Sequence, residues 1–456
     1  MRKPQYLLEK LNSSFWFIPI LMLLITIGSA IGFIYLDSRI QIPHKGVLRY
    51  LLPASVDSAR SILTIIAGAM MGIAGTVFSI TLVVLALASS QLGFRLVRNF
   101  MYDKLNQVVL GTYVSSFVYC LIVLSSLKAI DSFEFIPAIS VLVALASAIA
   151  GIVLLIVFIH HVSMSIQSDK VISDISEAMS KSIQKLFPKG IGQAEEKKAP
   201  DIDSLKQKFA LKLEVRSKRS GYLQSIDGQG LINFAQDING IIILQHRPGD
   251  FLVQEMVLCE ILYNEKYDKA VHEKIQNDFL IGKVRTPLQD AEFSIHQMVE
   301  IAARALSPGV NDPYTAIACI DNLTSVMCYL AGVEFPSPYR YDKHDCLRVI
   351  TNNHTFSGML NAAFNQIRQY GEGSPSVMIR LMEAMNIIIS FAKNKNQQEL
   401  IMQHAEMIIN AAEKTFSEKR DLEDIKERFT SLNKNNLNET SMANFTTQLV
   451  PVCREM

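Results

Sequence analysis

Four long apolar segments crowd the first third of this 456-residue chain, at roughly 15–36, 61–88, 110–127 and 135–159. A helix needs about 20 predominantly apolar residues to cross a hydrocarbon core. Each segment is long enough, and the second is longer than the core requires, so residues 1–166 read as a transmembrane domain with four helices. From about Gln167 onward the chain is polar and charged, and water is its expected solvent. Trp16 and Tyr35 stand near opposite ends of the first segment, where interfacial aromatic residues are favoured.

The N-terminus resembles a leader in one respect. Arg2, Lys3 and Lys10 precede an apolar run, and Gly28-Ser29-Ala30 has the small residues of a cleavage site. The apolar run continues through Ile31–Leu36, longer than a signal core, so an uncleaved first helix is expected. Basic residues near the spans set topology. Arg2, Lys3 and Lys10 precede the first span, and Arg95, Arg98 and Lys104 separate the second from the third. Arg39, Lys45, Arg49 and Arg60 in the first connection, which reads as an external loop over Asp37–Asp57, run against the trend. Four spans put both ends on one side, and the Lys-rich C-terminal region places both termini in the cytoplasm.

A formal net charge of +1 excludes a strongly basic nucleic-acid binder. The six cysteines form no CxxC pair and no His cluster has zinc spacing, so reduced, buried thiols and no metal are expected.

Beyond the spans, Val171, Ile172, Ile175, Met179, Ile183 and Leu186 repeat in helical register, and residues 167–209 read as a helical extension followed by a charged linker. Residues 210–267 alternate short Val-, Ile- and Leu-rich runs with Asp227-Gly228, Asn239-Gly240 and Pro248-Gly249-Asp250 turn signals. That pattern predicts a small β barrel or sandwich. Residues 268–432 read as a helical domain and 433–456 as a polar tail. The expected fold class is therefore membrane α-helical with a cytoplasmic α+β region.

Three constellations carry chemistry. Ser61, Thr64, Gly68, Gly72, Gly75 and Ser79 recur three and four residues apart, as one narrow stripe on the second helix. Small and hydroxyl residues suit either the border of a wet pore or close helix packing of the GxxxG kind. No acid or base lies within the four apolar cores, against a proton-coupled pump. His160-His161 ends the fourth segment and reads as an interfacial pair near a helix C-terminus. In the soluble region, Arg304-Ala-Leu-Ser-Pro-Gly-Val-Asn-Asp-Pro-Tyr-Thr315 reads as a helix stop and restart, with Asp312 as cap and Pro313 at the first helical position. Arg304, Ser307, Asn311, Asp312 and Thr315 then form either a capped corner or an anion or ligand site at a helix N-terminus.

These residues also carry a resemblance. The Arg304–Thr315 run, Asp290-Ala-Glu-Phe293 with Gln297, Ser79-Ile-Thr-Leu-Val-Val84 with Ala88-Ser-Ser-Gln91, and Ser220–Asp227 with Arg247-Pro-Gly-Asp-Phe251 closely resemble the bacterial family catalogued as domain of unknown function 2254. The resemblance spans nearly the whole chain. It implies a multi-pass inner-membrane protein and supplies no substrate, reaction or catalytic residue. More weakly, Gly221–Asp227 and Pro248–Phe251 look like half-repeats of biotinyl- and lipoyl-type domains. The hairpin that would carry a modified Lys reads Gln236-Asp-Ile-Asn-Gly240, without Lys, so no cofactor is expected.

With no nucleophile elbow, P-loop or HExxH set in the sequence, an enzyme is not expected. The leading expectation is a homo-oligomeric channel or passive transporter in the bilayer, passing a small ion or solute, with a cytoplasmic regulatory domain. The alternative is a membrane-anchored sensor or scaffold that binds a ligand or protein partner through that domain.

Overall fold

A computed structural model describes residues 16–40, 53, 55–92, 103–130, 133–165, 168–188, 201–264 and 275–437. The basic residues before Trp16, Arg95 and Arg98, most of the first connection, most of the linker and the tail beyond 437 lie outside them. The chain divides into two compact units, Met1–Val171 and Ile172–Met456.

Among the described residues, the first unit holds four helices long and apolar enough to cross a membrane. They are α1 (Phe17–Arg39), α2 (Val56–Leu92), α3 (Lys104–Ser126) and α4 (Ala138–Ser165). At 1.5 Å per residue the 37 residues of α2 extend about 55 Å, well beyond a core of about 30 Å. The third helix is the hub, packing on the other three. Half of its apolar window is buried, against 6–22% for the others. Its Tyr113 donates to the Gly151 carbonyl on α4 at 2.6 Å, and Tyr119 donates to the Ser140 carbonyl at 3.1 Å. The short strands β1 (Lys128–Ile130) and β2 (Phe133–Phe135) pair antiparallel between α3 and α4.

Two boundaries move from their expected places for a physical reason. The third helix begins six residues before the apolar run, because Asp103 caps it by accepting from the Leu105 N–H at 2.9 Å. Asp37, read as part of an external loop, instead sits in the last turn of α1 and is buried. Its two oxygens accept from the Ile139 N–H (2.8 Å), the Ser140 N–H (2.9 Å) and the Ser140 hydroxyl (2.7 Å). One helix therefore caps the start of another about a hundred residues away in sequence.

The second unit is mixed α/β. Helix α5 (Ser168–Leu186), whose first residues lie at the unit boundary, buries Ile172, Ile175, Met179 and Ile183, as its periodicity predicts. A one-turn-plus helix α6 (Ile202–Lys208) occupies the end of the stretch read as linker. Then follow β3 (Leu211–Arg216), β4 (Gly221–Ile226), α7 (Gly228–Asp237), β5 (Ile241–Leu244), β6 (Phe251–Leu252), β7 (Val257–Tyr263) and β8 (Phe279–Gly282). Helices α8 (Glu292–Ala305) and α9 (Pro313–Ala331), strands β9 (Tyr339–Tyr341) and β10 (Leu347–Ile350), and helices α10 (Phe356–Gly371), α11 (Pro375–Ile389), α12 (Lys395–Thr415) and α13 (Lys419–Leu437) complete it.

Among the described residues of this unit, the strands form two open sheets, ordered β3-β7-β5-β10-β9 and β6-β4-β8. Central β5 is buried along its whole length, and β10 joins it in parallel, Val349 facing Ile242. Two strands of the larger sheet thus come from inside the region read as helical. Residues 228–237 form helix α7 over the core at Leu231, Phe234 and Ala235, with Asp227 as its cap. The stretch imagined as a lipoyl-type hairpin, Gln236–Gly240, is therefore the end of that helix and the turn into β5. Asn239, at φ 44°, makes this turn.

The C-terminal helices bury regular stripes such as Met359, Ala363, Phe364 and Ile367 on α10 and Leu381, Met385 and Ile388 on α11. Thr355 and Asn394 cap α10 and α12 by accepting from Gly358 and Gln397. On the surface, Arg380 bridges Asp321 and Glu383, and Arg428 shares Glu383, tying α9, α11 and α13 together.

Candidate functional site

The stripe on α2 is where the structure is most informative. The inward side of α2 is Ala59, Leu63, Ile66, Ala67, Met70, Ala74 and Val77, all buried with α3 and α4 in one core. Ser61, Thr64, Gly68, Gly72, Gly75 and Ser79 all lie on the opposite, exposed side. A Cβ built on Gly68, Gly72 or Gly75 would meet nothing within 4 Å. Among the described residues, nothing therefore packs against these three glycines. Glycines elsewhere do: a Cβ on Gly111 would meet Met22 Sδ at 2.7 Å, and one on Gly151 would meet Tyr113 at 3.3 Å. Thr76 and Thr81 return their hydroxyls to carbonyls one turn back. Among the described residues, the hydroxyls of Ser61, Thr64 and Ser79 have no such partner.

His161, at the end of α4, contacts the Asp103 carboxylate at the start of α3. The interfacial pair expected from sequence thus includes one side chain that joins two helix ends.

The soluble corner is built as the sequence suggests, and its polar atoms turn inward on itself. Ser307 donates its hydroxyl to the Arg304 carbonyl at 2.6 Å. Asn311 adopts φ 50°, and the Asp312 N–H closes the turn on the Ala305 carbonyl at 2.8 Å. Asp312 accepts from the Thr315 N–H (3.1 Å) and the Thr315 hydroxyl (2.6 Å). The Thr315 hydroxyl, more than the backbone N–H groups, holds the Asp312 carboxyl below its ordinary range. Arg304, Ser307, Asp312 and Thr315 are brought together here, with Asn311 exposed beside them.

A second cluster was not assigned from sequence. Glu292, on the first turn of α8, accepts from Arg247 at 2.8 Å and lies 3.4 Å from His354 Nδ1 and 3.7 Å from His296 Nε2. Burial pushes the Glu292 carboxyl upward in pKa. Donation from His296 and His354 and the Arg247 charge outweigh it and hold the group below the ordinary carboxylate range. Next to it, Arg285 grips buried Asp290 with two hydrogen bonds of 2.7 and 2.9 Å. Gly249, at φ 101°, lets the Arg247–Phe251 turn approach Asp290, where any Cβ would fall within 2.7 Å of a carboxylate oxygen. His354 Nε2 is buried without a hydrogen-bond partner. Arg247-Pro-Gly-Asp-Phe251 and Asp290-Ala-Glu-Phe293 were quoted above only as marks of a resemblance. Their appearance together there was the one sequence signal for this cluster. Its charges are mutually satisfied, and among the described residues no group of three or more His, Cys, Asp or Glu could hold a metal ion.

Four membrane-length helices followed by a mixed α/β unit define a multi-pass membrane protein with a large soluble part. More particularly, the chain belongs to the family described as predicted membrane protein, domain of unknown function 2254, whose model matches residues 12–386. It is similar to an uncharacterised protein of Mycobacterium tuberculosis strain CDC 1551, at 29% identity over 432 residues, covering 92% of this chain and 80% of the relative. An uncharacterised protein of Mycobacterium bovis matches with the same identity and coverage. No solved structure matches.

Proposed function

We propose that this chain is one subunit of a homo-oligomeric channel or passive transporter of the bacterial inner membrane. Both termini lie in the cytoplasm, and the soluble unit regulates the passage of a small ion or solute without catalysing a reaction. The observation that carries this reading is the outward-facing stripe of α2. Small residues let a second helix come close where lipid would otherwise cover a bare backbone groove. Hydroxyls without partners are costly against hydrocarbon and are better placed beside water or another subunit. Neighbouring copies of α2 would meet along Gly68, Gly72 and Gly75, with the Ser61, Thr64 and Ser79 hydroxyls on the same stripe beyond either end of that contact, where they border the path.

The sensor or scaffold alternative draws less support, because Ser307, Asp312 and Thr315 are occupied in shaping their own corner.

The test is a comparison of wild type with Gly72→Leu in lipid nanodiscs and proteoliposomes. The wild type should run as a multimer by native mass spectrometry and pass small ions above empty-vesicle background. Gly72→Leu should fall apart into folded monomers and lose the flux. A monomeric wild type, or a multimer with no flux for any ion or small polar solute, would overturn the proposal.

A further inference from the structure

The smaller sheet of the soluble unit breaks the usual rule for a half-exposed strand. In β6 and the residue after it, Leu252 points into the core with none of its surface exposed, while Phe251 and Val253 point outward at 54% and 55% exposure. Successive residues of a strand face opposite ways, and the outer set is ordinarily polar. Here it is apolar, on the edge strand of the sheet. Phe251 is paired with Tyr222 and packs on its ring at 5.1 Å. Tyr222 in turn pairs with Gly282, two residues before exposed Val284, and Met256 adds a further exposed apolar side chain. The backbone holds this arrangement firmly. The Ser217 N–H donates to the Met256 carbonyl, the Glu255 N–H to the Ser217 carbonyl, and the Gln254 N–H to the Ser220 hydroxyl.

Basic side chains border the apolar residues. Arg216, Lys218 and Arg219 precede β4, and Lys283 follows β8, all exposed. The nearby acids are Glu214, which is paired with Arg216, and Glu255. Asp250 is turned back onto the Arg247 N–H at 3.0 Å. The balance is positive.

We propose that this face docks on the surface of an anionic bilayer. Phe251, Val253, Met256 and Val284 enter the headgroup boundary, and Lys218 and Lys283, with Arg216 and Arg219, meet anionic lipid. Apolar side chains ringed by cations have the chemistry of interfacial binding. The spanning helices of the same polypeptide keep the soluble unit at high effective concentration beside lipid, so a weak surface suffices. The inference is independent of whether the protein conducts.

The experiment uses the full chain in proteoliposomes, with Val253→Cys carrying a bimane label in a Cys346→Ser, Cys453→Ser background. Bromine on the upper acyl chains quenches the label only where it touches lipid. Vesicles containing phosphatidylglycerol should quench Val253→Cys strongly, and phosphatidylcholine vesicles should quench it little. A label on native Cys346, exposed on the turn between β9 and β10, should remain bright in both. Each basic side chain near an anionic surface is worth about fivefold. Lys218→Ser with Lys283→Ser should therefore lower the docked-to-undocked ratio about 25-fold. A label on Met256→Cys guards against a misfolded single variant, since it should report the same quenching. Absence of quenching in anionic vesicles would overturn the proposal. So would quenching indifferent to lipid charge, or equal at Cys346. A label shielded from aqueous iodide yet untouched by bromine would show that protein covers the face, which overturns it as well.

Discussion

Acid should weaken the C-terminal helices through one histidine. His404 on α12 is buried, with Nε2 3.0 Å from Asn361 Oδ1 on α10. Burial, and to a lesser degree the nearby Arg368 charge, lowers its pKa from 6.5 to about 4. An unfolded chain binds the proton near 6.5, so the folded form resists a proton that the unfolded form takes up. Stability is whole above about pH 6.5 and declines as pH falls towards 4. The full gap of about 2.5 pKa units corresponds to roughly 3 kcal/mol, and at about pH 5 some 2 kcal/mol of it is already lost. His404→Gln keeps an amide donor for Asn361 and removes the titration. The assay is pulse proteolysis in urea on the full chain in nanodiscs, following cleavage within residues 356–437 at about pH 7.5 and about pH 5. The wild type should lose about 2 kcal/mol more than His404→Gln between the two conditions. Carboxylates with lowered values, such as Glu292 and Glu383, act further into acid and are common to both proteins. Equal losses in the two proteins would refute the assignment to His404.

Glu292→Gln leaves Arg247 and His354 facing a neutral amide and should cost roughly 3 kcal/mol at neutral pH, read from the urea midpoint. Because the Glu292 pKa is lowered, that difference should persist above the ordinary glutamate range and close as pH falls below about 4.5. In the membrane unit, Gly151→Leu must displace Tyr113 and Met70 and should cost about 1–3 kcal/mol in thermal unfolding in detergent, whereas Gly72→Leu should leave the monomer unchanged. Asp37→Ala removes the acceptor for three donors at the start of α4 and should destabilise that unit by about 1–2 kcal/mol, with Asp37→Asn recovering part of the loss.

The spans were legible because bilayer thickness imposes a length that composition alone can satisfy. Their polar ends were not. Lys104–Gln107 looks like loop, yet Gln107 is almost wholly buried within α3. The stripe on α2 was visible as a pattern, but a 3.6-residue period says only that residues share a face. It cannot say whether the face turns towards α3 or away, and Gly111 and Gly72 look alike until the neighbours are known. In the soluble unit the corner was legible in detail, because a cap and a proline act within four residues. The parallel pairing of β10 with β5 was hidden, since four-residue strands a hundred residues apart carry no local mark of their partner. The Glu292 cluster was hidden for the same reason. Its members come from the turn after β5, the start of α8 and the approach to α10.

The ionisable groups at the ends of the spans bear on what the membrane unit can do. The first N–H groups of a helix have no partner within it, and at the edge of hydrocarbon that vacancy is costly. Here each later span has an acceptor supplied: the Ser55 hydroxyl for α2, Asp103 for α3, and Asp37, borrowed from α1, for α4. Both Asp37 oxygens are committed, one to a backbone N–H and the other to a backbone N–H and a hydroxyl. Asp103 divides its two oxygens between the Leu105 N–H and His161. A carboxylate that carries protons for a pump must alternate between partners as the solute moves. These two instead fix the ends of helices, and neither lies midway through a span. Under the function proposed above, that placement favours passive over proton-driven passage.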